Sequence, residues 1–228
     1  MKLRALLLST LIVTGISCNP HTQKEVILKT DNGDPKLVYH IAEKDGNKER
    51  VKEEMFYDNG KIQYEGEFKD NKPFGKWKYY FEDGSLFAEG IFEGSEQGKN
   101  WKFYGSDKKQ LHPKGKLEIH SFTENNQPEL ISFKEGEKQY EYQFYPNFVT
   151  HIAGMTLNDS KEGLWVFRFR NGNKQTEATF VNDIQHGEQI VYHENGNIYY
   201  KGNFDNGKRT GEWKFFDNEG NLYDTQSF

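Results

Sequence analysis

The chain has a single cysteine, Cys18. Beyond it no disulfide can contribute to folding and no thiol can serve as a nucleophile. Aliphatic residues are scarce: hydrophobic residues of every kind make up 34% of the 228 positions and charged residues 29%, and mean hydropathy is −0.94. Those values alone lean toward disorder. A basic surplus is missing too. The chain has 30 Lys and Arg against 35 Asp and Glu, a net charge of −5, which argues against nucleic acid and against adsorption on anionic lipid. The one apolar run, Ala5 to Ile16, would rise about 18 Å as a helix, too short for a bilayer core of about 30 Å.

Catalytic motifs are absent as well. The seven histidines (His21, His40, His112, His120, His151, His186, His193) show no metal spacing such as H-E-x-x-H, and His193-Glu194 reads as an exposed turn. There is no P-loop, no G-x-G-x-x-G before a helix and no G-x-S-x-G elbow. Acidic residues are spread over the solvent side of the pattern described below. The sequence therefore points to no catalytic residue, no metal and no cofactor, and to a protein that is not an enzyme.

What the chain does have is aromatic residues at fixed spacing, from 18 Phe, 13 Tyr and 4 Trp. Take the glycine of each turn as position 0. Gly60, Gly84 and Gly196 are each followed by Gly at position 6 (Gly66, Gly90, Gly202), Phe at 8 (Phe68, Phe92, Phe204) and Trp at 17 (Trp77, Trp101, Trp213). A further Gly stands at 14 or 15 (Gly75, Gly98, Gly211), and an aromatic at 20 (Tyr80, Tyr104, Phe216). A weaker copy from Gly172 keeps Phe180, Gly187 and Tyr192 but has Gln189 in place of Trp; Gly163 and Trp165 are the tail of a copy before it. A period of 24 residues means stacked supersecondary units and a thin, aromatic core.

Within each unit the alternation has period two. Ile62, Tyr64, Gly66 and Phe68 point one way and Gln63, Glu65 and Glu67 the other; Trp77, Tyr79 and Phe81 alternate with Lys76, Lys78 and Tyr80. That is a strand pattern with one buried face. Asn59-Gly60, Asp83-Gly84, Asn171-Gly172 and Asn195-Gly196 predict type I′ hairpin turns, and the other connections, such as Lys69 to Phe74, predict longer polar loops. One repeat is then one β-hairpin. Its internal glycines leave room for a ring to lie flat on the backbone. Glu65 and Glu67 beside Lys76 and Lys78 predict cross-strand charge pairs. Leu37 to Ala42 and Val51 to Tyr57 form a degenerate first hairpin. Residues 105–145 break the pattern yet offer strands at Leu117–Phe122, Glu129–Phe133 and Gln139–Tyr145, either as drifted repeat continuing one sheet or as an insertion.

The N-terminus reads as a leader. Lys2 and Arg4 precede the apolar run, and Gly15-Ile16-Ser17-Cys18 resembles a bacterial lipobox, with Gly15 where Leu or Val is usual. The expected organisation is a signal peptide over 1–17, a lipidated tether over 18–30 anchored through Cys18, and a repeat domain over 31–228. Two or more acyl chains anchor stably where one is marginal. Loss of Lys2 and Arg4 takes the net charge from −5 to −7.

Tyr57-Asp-Asn-Gly-Lys-Ile-Gln-Tyr-Glu-Gly-Glu-Phe followed by Gly75-Lys-Trp-Lys-Tyr-Tyr resembles the bacterial variant of the MORN repeat, as does the stretch from Tyr192 to Phe216. Lipoproteins of this kind are similar to the YwqK-type antitoxin family of toxin–antitoxin systems. The resemblance implies an all-β, elongated single-layer antiparallel sheet of tandem hairpins used for protein contact and sometimes lipid contact. The expected role is a non-enzymatic scaffold or interaction lipoprotein of the bacterial envelope, with a protein partner, a membrane anchor and no nucleic acid; an antitoxin or immunity role rests on the resemblance. The alternative is a cell-wall carbohydrate-binding module, since rows of aromatics on hairpin repeats also bind glycans. Trp at a fixed repeat position reads as core. The aromatics at position 20, Tyr80, Tyr104, Tyr192 and Phe216, face away from Trp and are the candidate partner-binding row.

Overall fold

The structure is a computed structural model that describes residues 22–44, 46–93, 96–97 and 100–228. The expected leader, Cys18, Asp45 and Gly98 lie outside the described residues. Among the described residues all regular elements are strands. The first sheet contains β1 (Thr22–Lys29), β2 (Pro35–Lys44), β3 (Asn47–Phe56), β4 (Ile62–Lys69), β5 (Lys72–Tyr80), β6 (Leu86–Glu93), and the short β7 (Glu96–Gln97) and β8 (Lys102–Phe103), both paired to β6. The second contains β9 (Lys116–Phe122), β10 (Pro128–Glu135), β11 (Lys138–Phe144), β12 (Thr150–Leu157), β13 (Ser160–Arg168), β14 (Lys174–Val181), β15 (Ile184–Tyr192), β16 (Ile198–Asp205), β17 (Lys208–Phe216) and β18 (Leu222–Ser227). All pairings are antiparallel, and apart from β8 each strand pairs with a sequence neighbour. The tandem-hairpin reading holds.

One turn geometry recurs along the chain. Gly33, Gly60, Gly84, Lys108, Asn126, Phe148, Gly172, Gly196 and Gly220 all have positive φ. Each donates its N–H to the carbonyl three residues back, and that earlier residue donates to the carbonyl just past the turn, as in Gly60 N to Tyr57 O and Tyr57 N to Lys61 O. Asn59, Asp83, Asn171 and Asn195 keep negative φ, so these are three-residue loops closed by a left-handed residue rather than type I′ turns. The type I′ geometry is at the opposite end of the hairpins. Asp70-Asn71, Asn158-Asp159, Asn182-Asp183 and Asn206-Gly207 have positive φ at both residues and leave two-residue connections where the sequence predicts longer loops. Asn and Asp tolerate this region because their side chains bond locally.

The paired glycines have two different functions. A Cβ on Gly66, Gly90, Gly154 or Gly202 would lie 2.1–2.2 Å from a ring atom of Trp77, Trp101, Trp165 or Trp213, so each indole lies directly on glycine backbone. Where Gln189 replaces Trp, Ala178 replaces the glycine opposite it. Gly75, Gly163 and Gly211 have positive φ at register shifts in the hairpins and are β-bulges.

The chain makes two sheets, not one. The turn at Lys108 repeats the standard geometry and Tyr104 still bridges to Gln110, but a second turn follows at once, with Gly115 N bonded to His112 O, and the ladder of the first sheet ends there. The strands expected at 117–145 form β9 to β11, which open the second sheet and do not continue the first. β10 and β11 pair without a register shift, so this hairpin lacks the glycine bulge. The tether expected over 18–30 also differs: Thr22–Lys29 forms β1, bonded along β2 from Thr22–Ala42 to Lys29–Pro35.

The two sheets meet in one aromatic core. Tyr64, Trp77, Tyr79, Phe87, Phe92 and Phe103 of the first sheet pack on Ile131, Phe133 and Phe144 of the second. Phe148, at a turn position that is glycine in six of the nine turns, stacks on Phe87 at 4.7 Å and meets Tyr79 edge-on at 5.7 Å. Fully burying one such side chain contributes about 1.5–3 kcal/mol, and a lone hairpin is marginal, so this junction is the main source of cooperativity. At the far end Glu53 stands opposite Gly66, where other hairpins place Trp. It accepts bonds from Tyr64 Oη and Arg50 Nη1, both at 2.7 Å, and Arg50 lies 3.6 Å over the Phe68 ring.

Candidate interaction faces

The aromatics at position 20 fall in two pairs, Tyr80 and Tyr104 in the first sheet and Tyr192 and Phe216 in the second. All four are half-buried. The tyrosines are tied to the strand beside them: Tyr80 Oη donates to Glu65 at 2.9 Å, Tyr104 Oη to Glu89 at 3.3 Å, and Tyr192 Oη to Glu177. Each partner lies fifteen residues earlier. The place fifteen before Phe216 holds Lys201 instead of Glu, so the acid is present where there is a hydroxyl to receive. Burial and the bond to the nearby carboxylate raise the Tyr80 and Tyr192 hydroxyls above their usual range. This row is a set of rivets on the outer side of the sheets.

In the first sheet the rivets join a polar chain across β2 to β5. Lys52 Nζ donates to Glu54 at 2.9 Å and to Glu65 at 2.6 Å; Lys52, from the preceding strand, takes the place of the expected Glu65–Lys78 pair. His40 Nε2 stands 3.0 Å from Glu54, an ion-pair distance at which its N–H does not point along the contact. Burial alone would raise the Glu54 carboxyl, but His40 and Lys52 outweigh it and hold it at about 2. Among the described residues no group of three or more His, Cys, Asp or Glu could hold a metal ion, and no helix is long and apolar enough to cross a membrane.

The Trp side differs sharply between the sheets. In the first sheet a cross-strand row runs Met55, Tyr64, Tyr79, Ala88, Phe103. Tyr64 is 1% exposed and Tyr79, Ala88 and Phe103 are 0%, because β9 to β11 cover them. The same row in the second sheet runs Ile152, Phe167, Thr176, Val191, Tyr200, Phe215, and every member is only half-buried. No described strand lies over it. Over β13 to β17 the buried residues on this side are Trp165, Ala178, Gly202 and Trp213, beneath their neighbours. Phe204 meets Trp213 edge-on at 5.2 Å, Lys161 lies 4.8 Å over Trp165, and Arg209 lies 4.4 Å over Trp213. The carboxylates of these strands, Glu162, Glu177, Glu188 and Glu212, alternate to the other side. The open side is thus aromatic, with cations and no acid over β13 to β17.

Residues 51–70, 75–93, 161–182, 185–206 and 209–228 match the MORN repeat variant. Five stretches of this chain are MORN-like. They cover a little under half of it and fall on the hairpins with the clearest Gly–Trp pattern, together with the strands beside Gln189. The unmatched middle holds the three turns whose left-handed residue is Lys108, Asn126 or Phe148. No curated protein matches the chain. MORN repeats in general serve contact with proteins or membranes, and the MORN-like hairpins of the second sheet present the open aromatic side described above. The alternation rule locates that side, but only the cover over the first sheet reveals that the second has none.

Proposed function

We propose that this protein is a non-enzymatic interaction module of the bacterial cell envelope, exported by its leader, anchored by lipid on Cys18, and binding a protein partner through the Trp side of β13 to β17. One observation carries the reading: the repeat positions of Tyr64, Tyr79, Ala88 and Phe103 are sealed in the first sheet and left partly open in the second, and an apolar side without cover is characteristic of an interaction surface. Lys161 and Arg209 face each other across a second copy without any acid to offset them, so the face favours an acidic partner over self-association. In its narrower form, drawn from the resemblance to YwqK-type antitoxins, the partner is a toxin. The half-buried Tyr200 and Phe215 rings also suit sugar stacking, which keeps a wall-glycan module as the second reading.

The test places a photo-crosslinking residue at Val191, with Glu188 on the opposite side as control, in cells producing the full chain. A crosslink to one other protein from Val191 alone is expected, reduced by Arg209→Glu. A crosslink only to a second copy, or equal yields from both positions, sinks the reading. Retention on insoluble glycans that is lost in Phe215→Ala would favour the carbohydrate reading instead. Cys18→Ala should abolish incorporation of labelled palmitate.

A further inference from the structure

A second recognition element lies where the turns of the two sheets meet. A cleft of about 330 Å³ is lined by Lys36, Phe56, Tyr57, Asp58 and Gln63 from the first sheet and by Pro146, Asn147 and Arg170 from the second. We infer that it is a binding site for a small organic monocarboxylate.

Its walls are fixed before any ligand arrives. Gln63 Nε2 donates to Pro146 O at 2.9 Å and Asn147 Nδ2 to Arg170 O at 3.1 Å; Tyr57 Oη donates to Tyr80 O at 2.8 Å and lies 3.4 Å from Asn147 O. The charge comes from both sheets. Lys36 Nζ is 2.8 Å from Asp58, whereas the Arg170 guanidinium lies 5.7 Å over the Tyr145 ring and has no carboxylate partner among the described residues. A guanidinium is a planar fork of donors that matches a carboxylate with two parallel bonds. Asp58 keeps the cleft at one net positive charge, which suits a monoanion better than a phosphate dianion. Phe56 and Pro146 supply an apolar edge for the body of the ligand, and the volume is at the small end of ligand sites.

The repeat itself marks the place as unusual. Two residues before the left-handed turn residue the chain carries an acid at Asp31, Asp58, Glu82, Glu124 and Glu194, and Arg170 is the one cation at that position. Pro146, another departure, lines the same cleft. A hairpin turn does not require an arginine there. A carboxylate on Arg170 and near Lys36 would also clasp the two sheets together.

Calorimetric titration of the full mature chain with acetyl-trialanine and its C-terminal amide, and with glucuronate and glucose, tests this. An acid form should bind at least about tenfold more tightly than its neutral counterpart, as expected for bonds to a charged group. The tripeptide arm identifies a peptide terminus and the glucuronate arm an acidic sugar. Arg170→Gln and Lys36→Gln should each weaken the acid, with the melting profile of Arg170→Gln unchanged. Equal binding of acid and neutral forms, no binding of either acid at millimolar concentration, or full affinity in Arg170→Gln would overturn the assignment.

Discussion

The Gly–Trp pairs make a sharp prediction about Gly202. A methyl group there would sit 2.2 Å from Trp213 Cδ2 and 2.4 Å from Cε2, far inside contact distance. The indole cannot slide away, because it is fully buried among Phe204, Tyr200, Phe228 and the Arg209 guanidinium. Overpacking of this kind costs about 1–3 kcal/mol, and Gly202→Ala belongs at the upper end because the methyl meets the ring face rather than its edge. Trp213→Gln should lose about 3–5 kcal/mol, the usual cost of deleting a buried large aromatic.

The two changes together should not add. One repeat earlier Ala178 already pairs with Gln189, so the double variant recreates a combination the chain uses. On the Trp213→Gln background the alanine should cost nothing, and it should gain about 0.5–1 kcal/mol from replacing a strand glycine. The expected coupling is therefore about 3.5–4 kcal/mol. Repeat arrays can open from their ends, so hydrogen exchange of β16 and β17 amides should accompany urea denaturation of the four proteins. If Gly202→Ala costs the same whether Trp213 is present or replaced by glutamine, contact with the ring is not the reason for the glycine.

Phe148→Gly removes about 1–2 kcal/mol of left-handed strain but empties the space between Phe87 and Tyr79; the cavity should dominate, with a net loss of about 2 kcal/mol by urea denaturation. Tyr192→Phe deletes the hydroxyl bound to Glu177 and should cost about 1 kcal/mol, a melting-temperature drop of about 2–4 °C for a chain of this size; an unchanged melt would show that the rivets contribute nothing. For Glu54 the folded pKa lies below the unfolded value, so its stabilisation is complete above the ordinary carboxylate pKa and fades as pH falls toward about 2. Glu54→Gln should be less stable at neutral pH and lose less stability on acidification between those limits; a parallel acid profile would refute the assignment.

The hairpins are legible because their constraints fall on single residue types. Only glycine fits beneath an indole, and the Trp beside it reports the same contact, so Gly66–Trp77 and Gly202–Trp213 can be found without coordinates. Other features are illegible for physical reasons. A left-handed turn residue need not be glycine, and at Lys108, Asn126 and Phe148 the turn survives while its sequence marker vanishes. Asn-Gly serves a three-residue loop as readily as a type I′ turn, since both need positive φ at the glycine, so the dipeptide does not fix the loop. β1 is illegible because nearly all its side chains are exposed, leaving no alternation to read. Exposure along the position-20 row depends on hydroxyl partners on the neighbouring strand, which the glutamate fifteen residues earlier signals once the register is known. Arg170 stays hidden in the sequence because its significance depends on which turn of the other sheet it faces.

The break between the sheets decides which aromatics remain for binding. In one continuous array every hairpin would show solvent the same Trp side. The turn from His112 to Gly115 ends the ladder of the first sheet, and the chain restarts at β9. The hairpin that follows carries no glycine bulge, and bulges add local twist and bend; the unbroken β10–β11 ladder is the part laid against the first sheet. Its Ile131 and Phe133 then seal Tyr79 and Phe103. The first sheet draws its stability from that cover. The second is held by the shared junction, its strand ladders and its Trp–Gly stacks, so it can leave Phe167, Tyr200 and Phe215 half-open and still stay folded. Residues at the same repeat position thus act as core in one sheet and as surface in the other. Side-chain chemistry does not separate them. The layer folded back over the first sheet does.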